Sequence, residues 1–423
     1  LHGQRNLILG KVKMAPKITL SDYAKIIRLQ NLEEIRLLAE KLQGKTVKMV
    51  NSTAVGGGVA EMLHRTVPLF NELGLNVKWE VIKGSGSFFN VTKSFHNALH
   101  GKEEEISDEM LKVYQEANEE NAKEMSFDEE FIVIHDPQPA ALIRAKEKSS
   151  AKWIWRCHID TSHPQPRIWD FLVKYINKYD ASIFSAPSFA KELPIPQYMI
   201  YPAIDPFAEK NRELSEKEIN SVLDKFGIPN DKPIVTQISR FDYLKDPLGV
   251  LETYHLVKRS TDCRFIYAGG TASDDPESAK VLHELQDKAS QEKDFHILLL
   301  PPFSDFEVNA IQRASSIILQ KSLREGFGLT VTEALWKAKP VVAMAVGGIP
   351  LQIIHNFTGI LVHSIEGAAY QIRYLLNNPK VAKMLGEYGK EHVREKFLLT
   401  RNLRNYLLLL VTLEHPGENI IQI

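Results

Sequence analysis

At 423 residues the chain is long enough for two or three domains of about 100–200 residues each. Its 44% hydrophobic and 25% charged residues are ordinary globular composition, and a formal charge of −1 gives no argument for a nucleic-acid or membrane partner. Two distant cysteines, Cys157 and Cys263, do not support a disulfide framework or a zinc site. No apolar run reaches membrane-spanning length and the first twenty residues lack a signal-peptide core, so a cytoplasmic protein is expected.

Residues 1–18 read as a loose arm, and 21–43 as one or two amphipathic helices with Ile26, Ile27, Leu29, Leu37, Leu38 and Leu42 on the apolar face. The first strand is expected over 45–51. It runs into STAVGGGVA and a helix reaching about residue 73. Gly56, Gly57 and Gly58, between strand and helix, form a loop able to cradle a phosphate or sugar, or simply to turn tightly. A second strand over 75–82 ends near Gly86, and helices follow over 90–100 and 107–124 with a solvated acidic face. The apolar run 131–134 reads as a buried strand delivering His135 and Asp136. Strand 152–157 delivers His158 and Asp160, and strands at 181–184 and 199–202 follow. In a doubly wound sheet these strand ends share one rim, so residues far apart in sequence can line one pocket. A lone histidine at a strand end is otherwise more often structural.

The charged, proline-bearing stretch 204–214 reads as a linker, followed by a helix over 215–226. Strand 233–237 feeds a loop that carries Arg240 and Lys245. These two either pair with Asp242 and Asp246 or neutralise charge on a phosphate leaving group. Strands are expected over 264–268 and 295–300. Then comes strand 316–320, a loop ending Glu325-Gly326-Phe327-Gly328, a helix over 329–337, strand 340–345 and the Gly347-Gly348 turn. In this βαβ unit Gly326 and Gly328 let backbone approach a ligand, and the free amides of the helix attract an anion such as a diphosphate. Glu325 and Glu333 bracket the helix start. They can bind sugar and ribose hydroxyls, or merely offset the macrodipole. A strand at 359–362 and helices at 366–376, 380–396 and 400–413 complete the chain before a frayed end.

The run E-G-F-G-L-x-x-x-E at 325–333, followed by K-P-V-V-A-x-x-V-G-G-I-P at 339–350, resembles the donor site of retaining family 4 glycosyltransferases. The resemblance implies an α/β GT-B fold, two Rossmann-like doubly wound domains facing a central cleft. Residues 1–210 would bind the acceptor and 211–398 the nucleotide-sugar donor, with 399–423 a helix crossing back to the first domain. It further implies that Glu325 holds donor-sugar hydroxyls, Glu333 the ribose, and Arg240 and Lys245 the diphosphate. Gly326, Phe327, Gly328, Leu329, Gly57 and Gly58 would border the donor. His158 would stand at the reacting centre, and His135, Asp136 and Asp160 beside the acceptor.

No Asp-x-Asp pair occurs in the chain. That agrees with a metal-free site needing no cofactor, in which Mg2+ is not essential and the cations and helix amides carry the diphosphate charge. Retention, if the resemblance holds, proceeds by same-face departure of the nucleoside diphosphate, with the leaving phosphate taking the acceptor proton. NSTAVGGGVAEML, HDPQP, WRCHIDTS, QKSLREGFGLTVTEALWK and GGIPLQ are together similar to the trehalose glycosyltransferring synthases, over about residues 17–400. These join a nucleoside-diphosphate glucose to free glucose. The retaining trehalose phosphorylases share most of these motifs and stand as the alternative, as does a non-catalytic sugar-nucleotide sensor. Donor base and reaction direction stay open, as does a homo-oligomer. Leu351-Gln352 departs from the Glu common there in the wider family.

Overall fold

A computed structural model describes residues 18–54, 57–270, 276–415 and 417. The arm expected over 1–18 lies, but for Ile18, outside them, as do Gly56 and most of the end beyond 413.

The chain forms two six-stranded parallel sheets. The first holds β1 (Thr46–Asn51), β2 (Asn76–Val81), β3 (Phe131–His135), β4 (Lys152–Arg156), β5 (Ala181–Phe184) and β6 (Gln197–Met199), in the order β2-β1-β3-β4-β5-β6. The second holds β7 (Ile234–Ile238), β8 (Arg264–Gly269), β9 (Phe295–Leu299), β10 (Ile317–Gln320), β11 (Val341–Met344) and β12 (Ile360–Val362), in the order β12-β11-β10-β7-β8-β9. The inner strands are apolar on both faces because helices cover both. All five residues of β3 are buried, and so are all six of β8. In register, Val50 lies opposite Ile134, and Ile134 opposite Trp155. In each sheet the order of strand addition reverses once, between β1 and β3 and between β7 and β10. The crossover connections leave those neighbouring strands on opposite sides, so a crevice opens at their carboxyl ends.

The strand expected over 199–202 sits instead at Gln197–Met199. Pro202 has no N–H for a ladder, and the Tyr201 carbonyl is taken by Asn402 Nδ2 at 2.8 Å. The helix expected from 90 starts earlier, as Gly86–Leu99, because Ser85 caps it by accepting the Phe88 N–H at 3.2 Å. Helices Pro166–Ile176, Pro247–Lys258, Pro276–Ala289 and Asp305–Ala314 had no assignment from the sequence.

One apolar core runs through both halves. It contains Leu63 and Phe70 of the helix Gly57–Glu72, Val331 and Leu335 of the helix Leu329–Trp336, and Leu403, Leu407 and Leu410 of the helix Leu399–Glu414. That last helix lies on the first half, against Leu29–Glu40 and Gly57–Glu72, where Tyr406 meets Phe70 edge-on at 6.3 Å. The chain therefore passes between the halves twice, and the two passages touch. Ile204 N donates to Phe397 O and Leu399 N to Ile204 O, both at 2.9 Å. No helix among the described residues is long and apolar enough to cross a membrane.

Candidate active site

At the β7/β10 crevice one buried side chain laces the two loops together. Gln237 Oε1 accepts the Lys321 N–H and its Nε2 donates to Lys245 O, both at 2.7 Å. This sets Lys245 Nζ 2.7 Å from Glu325 Oε2, and the same oxygen accepts from Ser322 Oγ at 3.1 Å and Gln320 Nε2 at 3.3 Å. Lys245 is 16% and Glu325 12% exposed, so the pair is largely desolvated, and the extra donors are what such a pair needs to hold. Arg240, by contrast, is 61% exposed, and its side chain pairs with Asp242 at 3.3 Å.

Glycines make the approach possible. Gly328 turns the chain at φ 82° into the helix Leu329–Trp336, whose N-terminus carries no side-chain cap. Gly347 sits at φ 55°, and a Cβ there would lie 1.7 Å from Glu325 O. Gly348 N donates to Gly326 O at 2.7 Å, and a Cβ on Gly348 would lie 2.7 Å from the Phe327 ring. The Gly-Gly turn is thus a socket for the loop that carries Glu325. Phe327, expected beside the donor, has its ring buried in the shared core, stacked 6.3 Å from Tyr201 and tilted against Phe397.

Glu333, expected to meet a ribose, is buried and ion-paired. Lys210 of the linker lies 3.6 Å from it, 2.9 Å from Glu61 of the first half, and 3.8 Å from Asp305. Burial pushes the Glu333 carboxyl up, while Lys210 holds it down. Lys337 Nζ lies beneath, donating to Glu333 O and Asn211 Oδ1, and burial pulls that ammonium down to about 7. Beside this cluster a cavity is lined by Gly58, Glu61, Arg65, Leu329 and Glu333.

On the facing rim, His135 Nδ1 and His158 Nε2 are 3.0 Å apart, with the rings stacked at 14°. Burial depresses both, His135 to about 3 and His158 well below its ordinary value, so the pair is neutral at pH 7. Asp136 sits at φ 68° and uses Oδ1 to accept the His158 N–H at 2.7 Å. Burial pushes its carboxyl up to about 7. Asp136 is expected beside an acceptor, and this oxygen fixes the His158 backbone. Asp160 Oδ1 accepts the Ser162 N–H at 2.9 Å, closing its own turn. Gly57 opens the helix Gly57–Glu72 where a loop was expected, because that helix starts inside the glycine run.

The rims meet. A Cβ on Gly326 would lie 3.6 Å from His158 O, and one on Gly58 3.4 Å from Leu329. His96 and His100, 4.7 Å apart, face Arg240, Lys245 and Arg324, and Arg324 donates to His100 O. Burial, with those cations nearby, lowers His96 to about 3 and His100 to about 4. Sequence reading missed both histidines, as well as Lys210, Gln320, Ser322 and Arg324. The i,i+4 spacing of the histidines on one helix face was the available signal.

A family model described as "Trehalose synthase, N-terminal domain" matches residues 49–191, and "Glycosyl transferases group 1" matches 219–392. Over 397 residues the chain is 45% identical to the trehalose synthase of Thermococcus litoralis, covering 92% of this chain and 96% of that one. This chain belongs to the trehalose synthase family. The Rubrobacter xylanophilus trehalose synthase is 42% identical over 405 residues, covering 93% and 97%. A trehalose phosphorylase of Pleurotus pulmonarius is 27% identical, with 99% of this chain matched to 64% of that one. Among solved structures, the α,α-trehalose-phosphate synthase (UDP-forming) of Burkholderia xenovorans superposes with a TM-score of 0.71 at 13% identity, covering 86% and 99%. The apo structure of OtsA gives 0.71 at 14%, covering 90% and 100%. The fold is GT-B. Family membership makes the chain a trehalose-related glycosyltransferase.

Proposed function

We propose that this chain transfers a glucosyl group, with retention, from a nucleoside-diphosphate glucose (ADP- or UDP-glucose) to the anomeric hydroxyl of free glucose, giving α,α-trehalose and the nucleoside diphosphate. The observation that carries the reading is the Lys245–Glu325 contact of 2.7 Å at the β7/β10 crevice, beside an uncapped helix N-terminus. A cation and a carboxylate held together beside free helix amides support a site for a diphosphate and the sugar it carries.

The amides of Leu329–Trp336 and the exposed Arg240 bind the diphosphate, and Lys245 swings from Glu325 to a phosphate oxygen as charge grows on the leaving group. Glu325 then accepts from donor-sugar hydroxyls. The bond from the anomeric carbon to the phosphate oxygen breaks on the same face on which the acceptor oxygen bonds. The departing phosphate takes the acceptor proton, so no enzymatic nucleophile is required. His158, neutral and fixed by Asp136 and His135, hydrogen-bonds a sugar hydroxyl beside the reacting carbon. A ribose reaching Glu333 displaces Lys210 from it. Because Arg240, Lys245 and the amides neutralise the diphosphate, added Mg2+ is expected to change the rate little, and the transfer can run in reverse.

The test is NMR product analysis with glucose and ADP-, UDP- or GDP-glucose, with and without Mg2+. One symmetric α,α-linked disaccharide is the expected product. Glucose 1-phosphate from trehalose plus phosphate, with no transfer from any nucleotide sugar, would instead establish the phosphorylase reading that the Pleurotus likeness favours. Silence in both assays overturns both.

A further inference from the structure

One residue before Glu325, the same loop reaches across the cleft. Leu323 N donates to Leu244 O at 2.8 Å, which joins this loop to the one bearing Lys245 as a single ledge at the ends of β7 and β10. Arg324 stands exposed on that ledge, and its Nη1 donates to the carbonyl of His100, where the helix Gly86–Leu99 of the first half ends. A helix finishes in carbonyls without intrahelical partners and carries partial negative charge there, so a guanidinium is well matched to it. Of the three cations around His100, Lys245 is held by Glu325 and Arg240 by Asp242, while Arg324 spans to the other half.

The receiving end is built for close approach. Gly101 follows His100 at φ 79°, and a Cβ there would lie 2.7 Å from Arg324 Nη1 and 2.5 Å from His163 O. His163 belongs to the segment that runs from His158 to the helix Pro166–Ile176. In that segment Gln165 N donates to Ala98 O at 2.9 Å. The Gln165 side chain also takes the Glu104 backbone twice, Oε1 accepting from its N at 3.3 Å and Nε2 donating to its O at 2.9 Å. The end of Gly86–Leu99 and the His158 segment are therefore one piece. Arg324 ties that piece to the Glu325 loop, close to where Gly326 backs onto the His158 carbonyl.

We propose that Arg324 is a positioning residue, a lock that holds the Glu325 loop against the His158 segment and so sets the gap in which donor sugar and acceptor hydroxyl meet. The inference rests on the transfer reading above and adds a residue to it. Neither Glu325 nor His158 sets that gap alone, since each is held by groups of its own half. If the halves part there by as little as about 1 Å, the attacking oxygen loses its alignment and transfer falls on the order of 10²-fold. Water then competes for the anomeric carbon. Its oxygen bonds that carbon as the bond to the phosphate oxygen breaks, the departing phosphate takes one of its protons, and free glucose and the nucleoside diphosphate result.

The test follows ADP- or UDP-glucose labelled in its glucosyl group and supplied with unlabelled glucose. Labelled trehalose counts transfer, and labelled free glucose counts hydrolysis. In Arg324→Ala, kcat for transfer is expected to fall about 10²-fold and the hydrolysed share to rise at least about fivefold. Nucleoside diphosphate affinity, by calorimetry, should stay within about twofold of the parent. Arg324→Lys, whose ammonium still bonds a carbonyl, should recover part of the transfer. Gly101→Ala keeps the arginine but drives a methyl against its Nη1, so the hydrolysed share should rise there too. Only folded molecules contribute to that share, so lost folding does not imitate the result. A parental share in both Arg324→Ala and Gly101→Ala overturns the lock. So does lost nucleoside diphosphate affinity in Arg324→Ala with a parental share in Gly101→Ala, because the arginine would then be a donor ligand. A parent that consumes no nucleotide sugar fails the transfer reading instead, and hydrogen exchange then judges the lock by itself. Peptides over 96–104 and 323–328 should exchange faster in Arg324→Ala than in the parent, and equal exchange overturns it.

Discussion

Glu325 takes three donors on one oxygen, which fixes its carboxylate more firmly than a surface acid could be fixed. Replacing it with Ala is expected to lower transfer about 10²–10³-fold, the cost of removing a preorganised electrostatic partner. Nucleoside diphosphate affinity should hold or rise, because Lys245 is released toward phosphate. Steady-state rates and calorimetry on one sample check both, and unchanged turnover would remove Glu325 from the donor site. Asp136 offers a pH test. Its folded pKa of about 7 stands above the ordinary 3.8, so between about pH 4 and 7 the folded state keeps a proton that the unfolded chain has lost. That contribution to stability falls as pH rises through the window. Asp136→Asn should therefore gain on the parent from about pH 4.5 to 7 in urea midpoints. Glu325, Arg240 and Lys245 could be picked out as candidates because each lies in a short motif at a strand end. Lys210 was not, since its partners Glu61, Asp305 and Glu333 are distant in sequence and a charged linker reads as solvated.

The loop of Glu325 and the Gly347-Gly348 turn act as one element. Gly347→Ala would set a methyl into the Glu325 carbonyl and force a left-handed residue besides, costing at least about 1–3 kcal/mol. Transfer is expected to collapse although every polar group of the site remains. Gly86→Ala is the control, because a Cβ there meets nothing within 4 Å, and its melting temperature should barely move. A melting temperature for Gly347→Ala equal to that of the control would mean the turn is no socket. Strands could be read from sequence as apolar runs closed by polar residues. The helix Pro247–Lys258 could not, because Leu248 and Leu256, on the side away from the buried Val250, Tyr254 and Val257, are apolar too and pack partly buried against the core, which blurs the 3.6-residue period.

Across the whole molecule, Lys210 ties the helix after the first glycine loop to the helix Leu329–Trp336. Lys210→Met leaves Glu61, Asp305 and Glu333 facing one another with their cation gone. Removing one partner of a buried pair costs about 3–5 kcal/mol, and Lys210, which is mostly but not fully buried, belongs toward the lower figure. With that cation absent, Glu333 binds its proton more tightly, so donor KM should climb as pH falls while kcat changes less. Lys210→Arg should restore the parent profile. A KM for the methionine variant that matches the parent at every pH would make Lys210 a structural tie only.

The helix Leu399–Glu414 has a consequence for how the protein comes into being. The first half borrows part of its apolar filling, Leu403, Leu407 and Leu410, from the far end of the chain. During synthesis that half must wait, with the faces of Leu29–Glu40 and Gly57–Glu72 uncovered, until the whole second half has been made. The seam that joins Ile204 to Leu398 cannot close before the second sheet has been made. Assembly of the catalytic crevice and completion of the first core are then a single late event, and a chain stopped before residue 399 would leave a sticky surface in place of an enzyme.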